Sequence, residues 1–458
     1  MKYYSTNNSQ ISVPLEEAVV RGLAPDKGLY MPKEIKTLPA EFFTRIGDCS
    51  LQEIACTVAG AFFGEDISKD DLDALTRDTL NFEIPLVPVS DNIYSLELWH
   101  GPTLAFKDVG ARFMARLLAY FIERKNVAAS TLSANGVSTM DAVSSTNGAD
   151  GDVHVLVATS GDTGSAVANG FLGVKGIHVH VLYPKDKVSL IQEKQFTTLG
   201  QNITAIEIDG TFDDCQALVK SAFMDKELNE RMKLTSANSI NVARFLPQAF
   251  YYFQAYARLV AQQALPSGKK IVICVPSGNF GNLTAGLFAK RMGLPISRFI
   301  AANNANDVVY KYLQDGNYDP RPSTPTIANA MDVGAPSNFD RILDLYANDH
   351  ARITADISGT TYNDTQIADT MRAVYADSGY LLDPHGACGY RALQEKLQAD
   401  EVGVFLETAH PAKFKDTVES IINTPVAIPD KLNSFMQGTK KSIPLSKDFA
   451  DFKAYLLA

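Results

Sequence analysis

The sequence predicts an α/β protein in which two parallel-sheet domains flank a cleft and follow an N-terminal region. Three observations support this prediction. The chain has 458 residues, more than one ordinary hydrophobic core holds. Short apolar segments alternate with helical ones, as in βαβ units, and two glycine-rich junctions each follow a strand and open a helix. We expect the N-terminal region at residues 1–95, a small α/β domain at 96–235 and a large one at 236–458.

Lys107 lies near the start of the small domain. Residues 93–98 have the composition of a strand, which Gly101-Pro102 interrupts, and apolar residues then recur at helical spacing at Phe106, Gly110, Phe113, Leu117 and Phe121. Lys107 is therefore expected in the first turn of a helix. Most lysines are solvated, but desolvation by Phe106 would lower the pKa of this amine and leave it neutral part of the time, as imine formation requires.

The rest of the small domain shows a regular α/β pattern. Residues 126–151 are rich in Ser, Ala and Asn, offer no apolar period and are predicted to form a flexible surface loop. Beyond them, strands are predicted at 153–158, 177–182 and 203–208. Thr211 to Asp214 resembles a capping box that starts a helix running to about residue 232.

The large domain repeats this pattern. A long amphipathic helix is predicted over 239–264. Strands are then predicted at 270–275, 298–302 and 402–406.

Two strand-to-helix junctions, at 158–165 and 275–282, are rich in glycine and small polar residues. Unpaired N–H groups and the positive helix end at such a junction favour a bound anion. Neither junction matches a P-loop or a dinucleotide-binding motif. One alone would be explained as well by a tight structural turn, but two favour an anion-binding cleft. A reactive lysine beside a phosphate site is what pyridoxal phosphate needs, and the second junction would serve an anionic substrate.

A third segment, 407–414, directly follows the predicted strand at 402–406. Residues at the carboxyl end of a parallel strand point into the ligand crevice, so Thr408 is a candidate for a hydroxyl contact to a cofactor ring. For His410 and Lys413 we expect a packed histidine and a solvated lysine.

Charge and composition exclude several classes of partner. The formal net charge of −10 argues against general nucleic-acid binding. We expect no membrane partner and a cytoplasmic location, because no apolar stretch is long enough to span a bilayer and the first residues show no apolar targeting segment. The five cysteines lack C-x-x-C spacing, so neither a disulfide framework nor a metal site is predicted.

Four motifs together resemble those of the threonine synthase family: HGPTLAFKD at 100–108, ATSGDTG at 158–164, PSGNFG at 276–281 and TAHPAKF at 408–414. The resemblance covers nearly the whole chain. It implies the fold type II architecture of the tryptophan synthase β-like enzymes and pyridoxal 5′-phosphate as the cofactor.

The resemblance also implies roles for individual residues. Lys107 would hold the cofactor as an imine, Thr408 would meet its pyridine nitrogen, and its phosphate would bind to Gly278, Asn279, Phe280 and Asn282. Substrate binding would fall to Ser160, Gly161, Asp162, Thr163 and Gly164, with Asn241 and Arg244 as further polar contacts to its phosphate or carboxylate. Arg112 is either another such cation or part of a surface salt bridge.

Three positions depart from the usual family pattern. Asn282 stands where an acidic residue is common, Lys27 stands where glycine is common, and residues 384–389 vary a segment closer to PHTAVG. The last difference is expected to affect the shape of the cleft.

The implied activity is that of a carbon–oxygen lyase acting on phosphate. It converts O-phospho-L-homoserine and water into L-threonine and phosphate, by γ-elimination and β-addition of water, as the last step of threonine biosynthesis. Lys107 would move protons at Cα, Cβ and Cγ. A neutral Thr408 at the ring nitrogen would moderate electron withdrawal and restrain side reactions.

Three alternatives remain open on the sequence alone. A serine or threonine dehydratase also has a lysine and a glycine-rich phosphate loop, although it needs no second anion site. A family member that cleaves phosphorylated amino alcohols, or a non-catalytic cofactor-binding protein, would retain many of the same residues. The sequence does not decide between a monomer and a homodimer.

Overall fold

The computed structural model describes residues 1–134 and 152–458, with side chains at 1–125 and 152–458, and it contains three sheets within these ranges. The strands are β1 Lys2–Ser5, β2 Ser12–Pro14, β3 Tyr30–Pro32, β4 Leu86–Ser90, β5 Ile93–Glu97, β6 Val153–Ala158, β7 Ile177–Pro184, β8 Ile203–Ile208, β9 Lys233–Ser236, β10 Lys270–Pro276, β11 Ile296–Asn303, β12 Ile357–Thr361, β13 Glu401–Glu407 and β14 Ile443–Leu445.

The α-helices surround the sheets. They are α1 Leu15–Arg21, α2 Ala40–Arg45, α3 Leu51–Phe63, α4 Lys69–Thr79, α5 Lys107–Ala134, α6 Asp162–Phe171, α7 Leu190–Thr197, α8 Phe212–Met224, α9 Lys226–Arg231, α10 Val242–Phe245, α11 Ala249–Ala261, α12 Gly281–Arg291, α13 Val308–Asp315, α14 Phe339–Leu345, α15 His350–Asp356, α16 Asp364–Ser378, α17 Pro384–Lys396, α18 Lys415–Ile422, α19 Asp430–Met436 and α20 Phe449–Leu457. Single 3₁₀ turns lie at Ile46–Asp48, Leu246–Gln248, Asn329–Met331 and Pro411–Phe414.

The six-stranded sheet has the order β12-β11-β10-β13-β5-β4 and is parallel except for the antiparallel pair β4–β5. Its centre is buried on both faces: Ile271 to Val275 of β10 are all buried, and Cys274 pairs with Ile300 of β11 and Phe405 of β13. Continuous apolar strands of this kind are expected where helices cover both faces of a parallel sheet.

The five-stranded sheet is parallel throughout and has the order β14-β8-β7-β6-β9. Its outer strand β14 comes from late in the chain, and Phe452 and Leu456 of the following helix α20 join the buried cluster on one face of this sheet. A third sheet, with the antiparallel order β2-β1-β3, lies in the N-terminal region. The predicted pair of parallel sheets is confirmed, while the domain boundaries at 95 and 235 stay a prediction.

Most predicted strands are found within two residues of their expected ends, and β6 and β8 match the predicted ranges at both ends. The long helix predicted over 239–264 is instead α10, a 3₁₀ turn and α11. Pro247 lies in that turn, where its missing N–H would break an α-helical ladder. The helix predicted from the capping box ends at Met224, because Asp225 caps a new helix by accepting a hydrogen bond from Leu228 N at 2.9 Å.

The prediction of a loop over 126–151 is wrong for residues 126–134, which belong to a helix. Helix α5 continues through Ala134, and residues 135–151 lie outside the described residues. No helix within the described ranges has the length and apolar character to cross a membrane.

Histidines on β6 and β7 stack beside helix α20. The ring of His154 lies 5.2 Å from that of His178 and 5.4 Å from that of His180. The Nδ1 atom of His180 is 2.9 Å from the Tyr455 hydroxyl, and His178 contacts Asp152 at 2.9 Å. Burial, together with His154 and His178, lowers the pKa of His180 to about 3.

We therefore expect the protein to lose stability as the pH falls below 7. The folded state keeps His180 neutral, whereas the unfolded chain takes up a proton near pH ~6.5, so this contribution is present above that pH and is lost between it and pH 3. One such group changes the free energy of unfolding by up to ~1.4 kcal/mol per pH unit. Urea unfolding at pH 7, 6 and 5 should give a steeper decline for the wild type than for His180→Phe, and equal declines would contradict this explanation.

Candidate functional site

A cleft of about 910 Å³, part of it open to solvent, lies at the carboxyl ends of strands from both parallel sheets. The lining includes Ser160 after β6, Gly278 after β10 and Thr408 after β13. The predicted site residues that line it are Lys107, Ser160, Thr163, Arg244, Gly278, Asn279, Phe280, Asn282 and Thr408. The remaining ones, Gly161, Asp162, Gly164 and Asn241, lie behind this surface.

Lys107 lies in the first turn of a helix, as the sequence predicted, and is the first residue of α5. Its backbone is held from several directions. Phe106 N donates to Thr408 O at 2.8 Å, the Tyr251 hydroxyl donates to Phe106 O, and Arg244 Nη1 donates to Lys107 O at 3.1 Å. Lys107 is thereby tied to the segment after β13, which holds its amine and the Thr408 side chain at one end of the cleft.

The Lys107 side chain is half-buried, and its Nζ atom lies 5.7 Å from the centre of the Phe106 ring. Burial lowers its pKa from the usual value near 10.5 to about 8. Asp162 opposes this shift, and Lys413 and Arg244 add to it. An amine with such a pKa is partly neutral near physiological pH, as a nucleophile requires.

The junction after β10 forms a loop whose backbone is open to a ligand. No described residue accepts a hydrogen bond from the N–H groups of residues 278–282. Phe280 adopts a left-handed conformation with φ 61°, and a Cβ atom on Gly278 would lie 2.6 Å from Ala330 O. Free donors, a tight turn and a helix N-terminus together fit a phosphate group.

Side chains hold this loop in place. Asn279 Nδ2 donates to Ser239 Oγ at 2.9 Å, and its Oδ1 accepts from Ser337 N at 2.6 Å. Asn282 Nδ2 donates to Pro276 O at 2.9 Å, and its Oδ1 accepts from Leu283 N at 2.9 Å. The amide of Asn282 is thus occupied within the loop, which leaves its backbone N–H to face a ligand.

The junction after β6 is organised around a buried hydroxyl. Thr159 Oγ1 accepts from Gly161 N at 2.9 Å and from Gly164 N at 2.7 Å. This arrangement presents Ser160 and Thr163 to the cleft. Gly161, with φ 142°, and Gly164 therefore shape the turn.

Asp162 points away from the cleft surface, into a buried ion pair. Its Oδ1 atom lies 2.7 Å from Lys413 Nζ, and both side chains are at most 4% exposed. The expectation of a solvated Lys413 was wrong, because the 3₁₀ turn that contains it packs against the start of α6. His410 is packed as expected: its ring meets the Trp99 ring edge-on at 4.7 Å.

Of the two residues predicted as further polar contacts to the substrate, Arg244 lines the cleft and Asn241 does not. Arg244 lines the cleft and donates from Nε to Ala237 O at 2.7 Å. Asn241 is fully buried, donates to Val19 O at 2.8 Å and caps α10 through Ala243 N. Arg112 donates to Thr79 O at 2.9 Å and to Asp78 O at 2.6 Å, so its guanidinium binds the end of α4, away from the cleft lining.

Sequence reasoning assigned no role to His385, which lines the cleft near Thr408. Its Nδ1 lies 2.6 Å from Asp383 Oδ1 and its Nε2 accepts from Ala330 N at 3.1 Å, which places the proton on Nδ1. Below it, burial and then Asp383 raise the pKa of Glu407 well above its usual range. The motif DPH at the start of α17 was the only signal for this cluster.

Arg341 is a second residue that sequence reasoning missed. It is fully buried, donates to Ser239 O at 2.9 Å and to Asn338 Oδ1 at 2.5 Å, and lies 4.0 Å above the Phe245 ring. Because Ser239 Oγ in turn accepts a hydrogen bond from Asn279 Nδ2, Arg341 supports the loop at 278–282 through Ser239.

Within the described ranges, no group of three or more His, Cys, Asp or Glu side chains is arranged to hold a metal ion.

Comparisons with known proteins agree on one family. The model of pyridoxal-phosphate-dependent enzymes matches residues 83–408, and models of the N-terminal and C-terminal parts of threonine synthase match 2–80 and 386–456. Threonine synthase of Haemophilus influenzae is 43% identical over the full length of both chains, and that of Escherichia coli is 39% identical over 100% of this chain and 99% of its own.

Solved structures show the same similarity. The crystal structure of threonine synthase from Escherichia coli matches with a TM-score of 0.87, covering 100% of this chain and 99% of that one at 39% identity. The structure of threonine synthase from Brucella melitensis with bound pyridoxal phosphate matches with a TM-score of 0.85, covering 100% and 98% at 34% identity.

Proposed function

Because this chain belongs to the threonine synthase family of pyridoxal-phosphate-dependent enzymes, we propose that it converts O-phospho-L-homoserine and water into L-threonine and phosphate. The reaction is that of a carbon–oxygen lyase acting on phosphate and is the last step of threonine biosynthesis. One observation carries the proposal: an amine of lowered pKa and a loop of free N–H donors line one cleft, with polar side chains from the other sheet opposite.

The residues present fit pyridoxal phosphate. Lys107 would bind its aldehyde, and the N–H groups of Gly278, Asn279, Phe280 and Asn282 would hold its phosphate. The Thr408 hydroxyl, for which no described residue is a hydrogen-bond partner, would meet its ring nitrogen. When bound, this group supplies the electron sink that lets protons leave the substrate next to its amino group.

Lys107 is proposed to be the acid and base of the reaction. A pKa of about 8 lets its amine take up and return protons near neutral pH, which the substrate requires at Cα, Cβ and Cγ. The backbone hydrogen bonds from Phe106 N to Thr408 O and from His410 N to Leu104 O keep the position of the Lys107 amine constant through these transfers.

The opposite wall is proposed to bind the anionic ends of the substrate. Ser160 and Thr163 present hydroxyl groups and Arg244 a guanidinium to the cleft. Gly161, Asp162 and Gly164 act by shaping the loop that carries Ser160 and Thr163, and Asn241 by fixing the start of α10 next to Arg244.

A direct assay of products tests this function. The purified full-length chain, loaded with pyridoxal phosphate, is incubated with O-phospho-L-homoserine, L-threonine or L-serine, and threonine, 2-oxobutyrate, pyruvate and phosphate are quantified together. We expect threonine and phosphate in equal amounts from O-phospho-L-homoserine. Phosphate without threonine, or oxo acids formed from threonine or serine as the main products, would overturn the assignment.

A cytoplasmic location is proposed as well. The five cysteines are all free and four of them are buried, which suits a reducing compartment.

A further inference from the structure

The buried ion pair between Asp162 and Lys413 joins the two halves of the cleft. Asp162 begins α6, which follows a strand of the five-stranded sheet. Lys413 lies in the 3₁₀ turn that follows β13 of the six-stranded sheet. Lys413 Nζ also donates to Thr103 O at 2.8 Å, just before the helix that Lys107 begins. The pair thus connects three of the four motifs that the sequence singled out.

Lys107 is the other cation that interacts with Asp162. Burial alone would raise the pKa of Asp162, but Lys413 and Lys107 together lower it to about 2, so the carboxylate is charged at neutral pH. The amines of Lys413 and Lys107 differ in their hydrogen-bond partners. Lys413 is 1% exposed and bonded to Asp162 and Thr103, whereas no described residue accepts a hydrogen bond from the amine of Lys107.

An opposite charge favours the protonated form of an amine, and a like charge disfavours it. Without Lys413, Asp162 would keep the hydrogen bond from Gln192 Nε2 at 2.9 Å, and the cation left to interact with its charge would be Lys107. Its negative charge would then favour the protonated form of the Lys107 amine. The other titratable groups around these amines are Arg244 on the side of Lys107, and Asp108 and His410 on the side of Lys413.

We propose that Lys413 is a positioning residue that occupies Asp162 and thereby keeps the Lys107 amine unpaired and able to bind the cofactor. This inference rests on the proposed role of Lys107 and adds a function for a buried charge pair that does not line the cleft. Asp162 and Lys413 form one unit: the carboxylate anchors α6, and the ammonium cancels its effect on the reacting amine.

The two single substitutions are expected to act in opposite directions. Lys413→Met leaves the charge of Asp162 uncompensated next to Lys107, so the midpoint for Lys107 deprotonation should rise by about one pH unit or more. Asp162→Asn leaves the Lys413 cation uncompensated, so the midpoint should fall. The double variant removes both charges and should lie between the two, and Lys413→Arg should stay near the wild type.

The test measures the Lys107 amine directly. The full-length chain, freed of cofactor, is labelled with a small acylating reagent between pH 6 and 11, and the rate at Lys107 is followed by peptide mass spectrometry. Recombination with pyridoxal phosphate, followed by its absorbance, gives a second pH profile. Lys290→Met is the matched control, because Lys290 also bonds a carboxylate, Asp356, at 2.6 Å and a backbone carbonyl, Ser297 O, at 2.7 Å.

Shifts of opposite sign for the two single variants, with Lys290→Met unchanged, support the proposal, since a merely structural role would not reverse sign. Equal midpoints in all variants, or shifts of the same sign, overturn it. If Lys413→Met fails to fold, two other results decide the question. The midpoint for Lys107 deprotonation should be lower in Asp162→Asn than in the wild type, and it should rise again in the double variant. These midpoints need no turnover, so they stand apart from the product assay that tests the proposed function.

Discussion

Lys107→Ala is expected to reduce the rate of threonine formation by at least about 10³-fold while leaving the fold intact. The substitution removes the proposed covalent partner of the cofactor, which is also the group proposed to move protons on the substrate. A positioned acid or base alone contributes ~10²–10⁴-fold. The amine has no hydrogen-bond acceptor among the described residues, so stability should change little.

Lys290→Ala, at the far end of α12, is the matched control and should retain activity. Both variants are assayed for threonine and phosphate with pyridoxal phosphate in excess, and their thermal unfolding is compared with that of the wild type. Activity of Lys107→Ala within tenfold of the wild type would remove Lys107 from the reaction, whatever the cofactor occupancy.

Arg341→Met is expected to cost about 3 kcal/mol or more of the free energy of unfolding, because it leaves several buried carbonyl groups without a donor. Arg341 donates to Ile240 O at 2.5 Å and to Tyr30 O at 3.2 Å, in addition to Ser239 and Asn338. Since Ser239 and Asn338 both contact Asn279, in the loop proposed to bind the cofactor phosphate, affinity for pyridoxal phosphate should fall as well.

Two further variants separate charge from geometry. Arg341→Lys keeps the positive charge but lacks the planar fork, so it should lie between the wild type and Arg341→Met. Arg352→Met, which replaces an exposed arginine on α15, should leave both stability and cofactor affinity unchanged. Urea unfolding and cofactor titration measure the two effects, and an Arg341→Met protein as stable as the wild type would refute the role of this residue.

The sequence predicted those parts of the fold that depend on local pattern. Strands β6 and β8 were located to the residue, because apolar runs mark them, and Lys107 was correctly placed in the first turn of α5, because a Gly-Pro break precedes that helix. Strand β12 was missed, since Ile357 to Thr361 contains a glycine and two threonines in place of an apolar run. The pairing of β14 with β8 depends on contacts between distant parts of the chain, which periodicity does not report.

In the candidate site, too, only the features that depend on local sequence were predicted. The loops at 160–164 and 278–282 could be predicted from their motifs, because the glycines in them allow the tight turns that these loops make. The partners of buried charges cannot be predicted from local sequence. Nothing in TAHPAKF indicates that Lys413 forms an ion pair with Asp162. Arg341 lies in a helix, α14, whose sequence contains no motif. Burial of a charge is decided by which segments pack together, and only the structure supplies that.

The outer position of β14 has a consequence for how the protein is made. Until Ile443 to Leu445 pair with Ile206 to Ile208, β8 forms an unpaired edge, and the helix that covers the adjoining hydrophobic face has not yet docked. A ribosome synthesises β8 long before β14, so the nascent chain carries an unpaired, aggregation-prone sheet edge while strands β10 to β13 of the six-stranded sheet are still being produced. The last part of the chain therefore protects the protein during its own biosynthesis, far from the chemistry of the cleft.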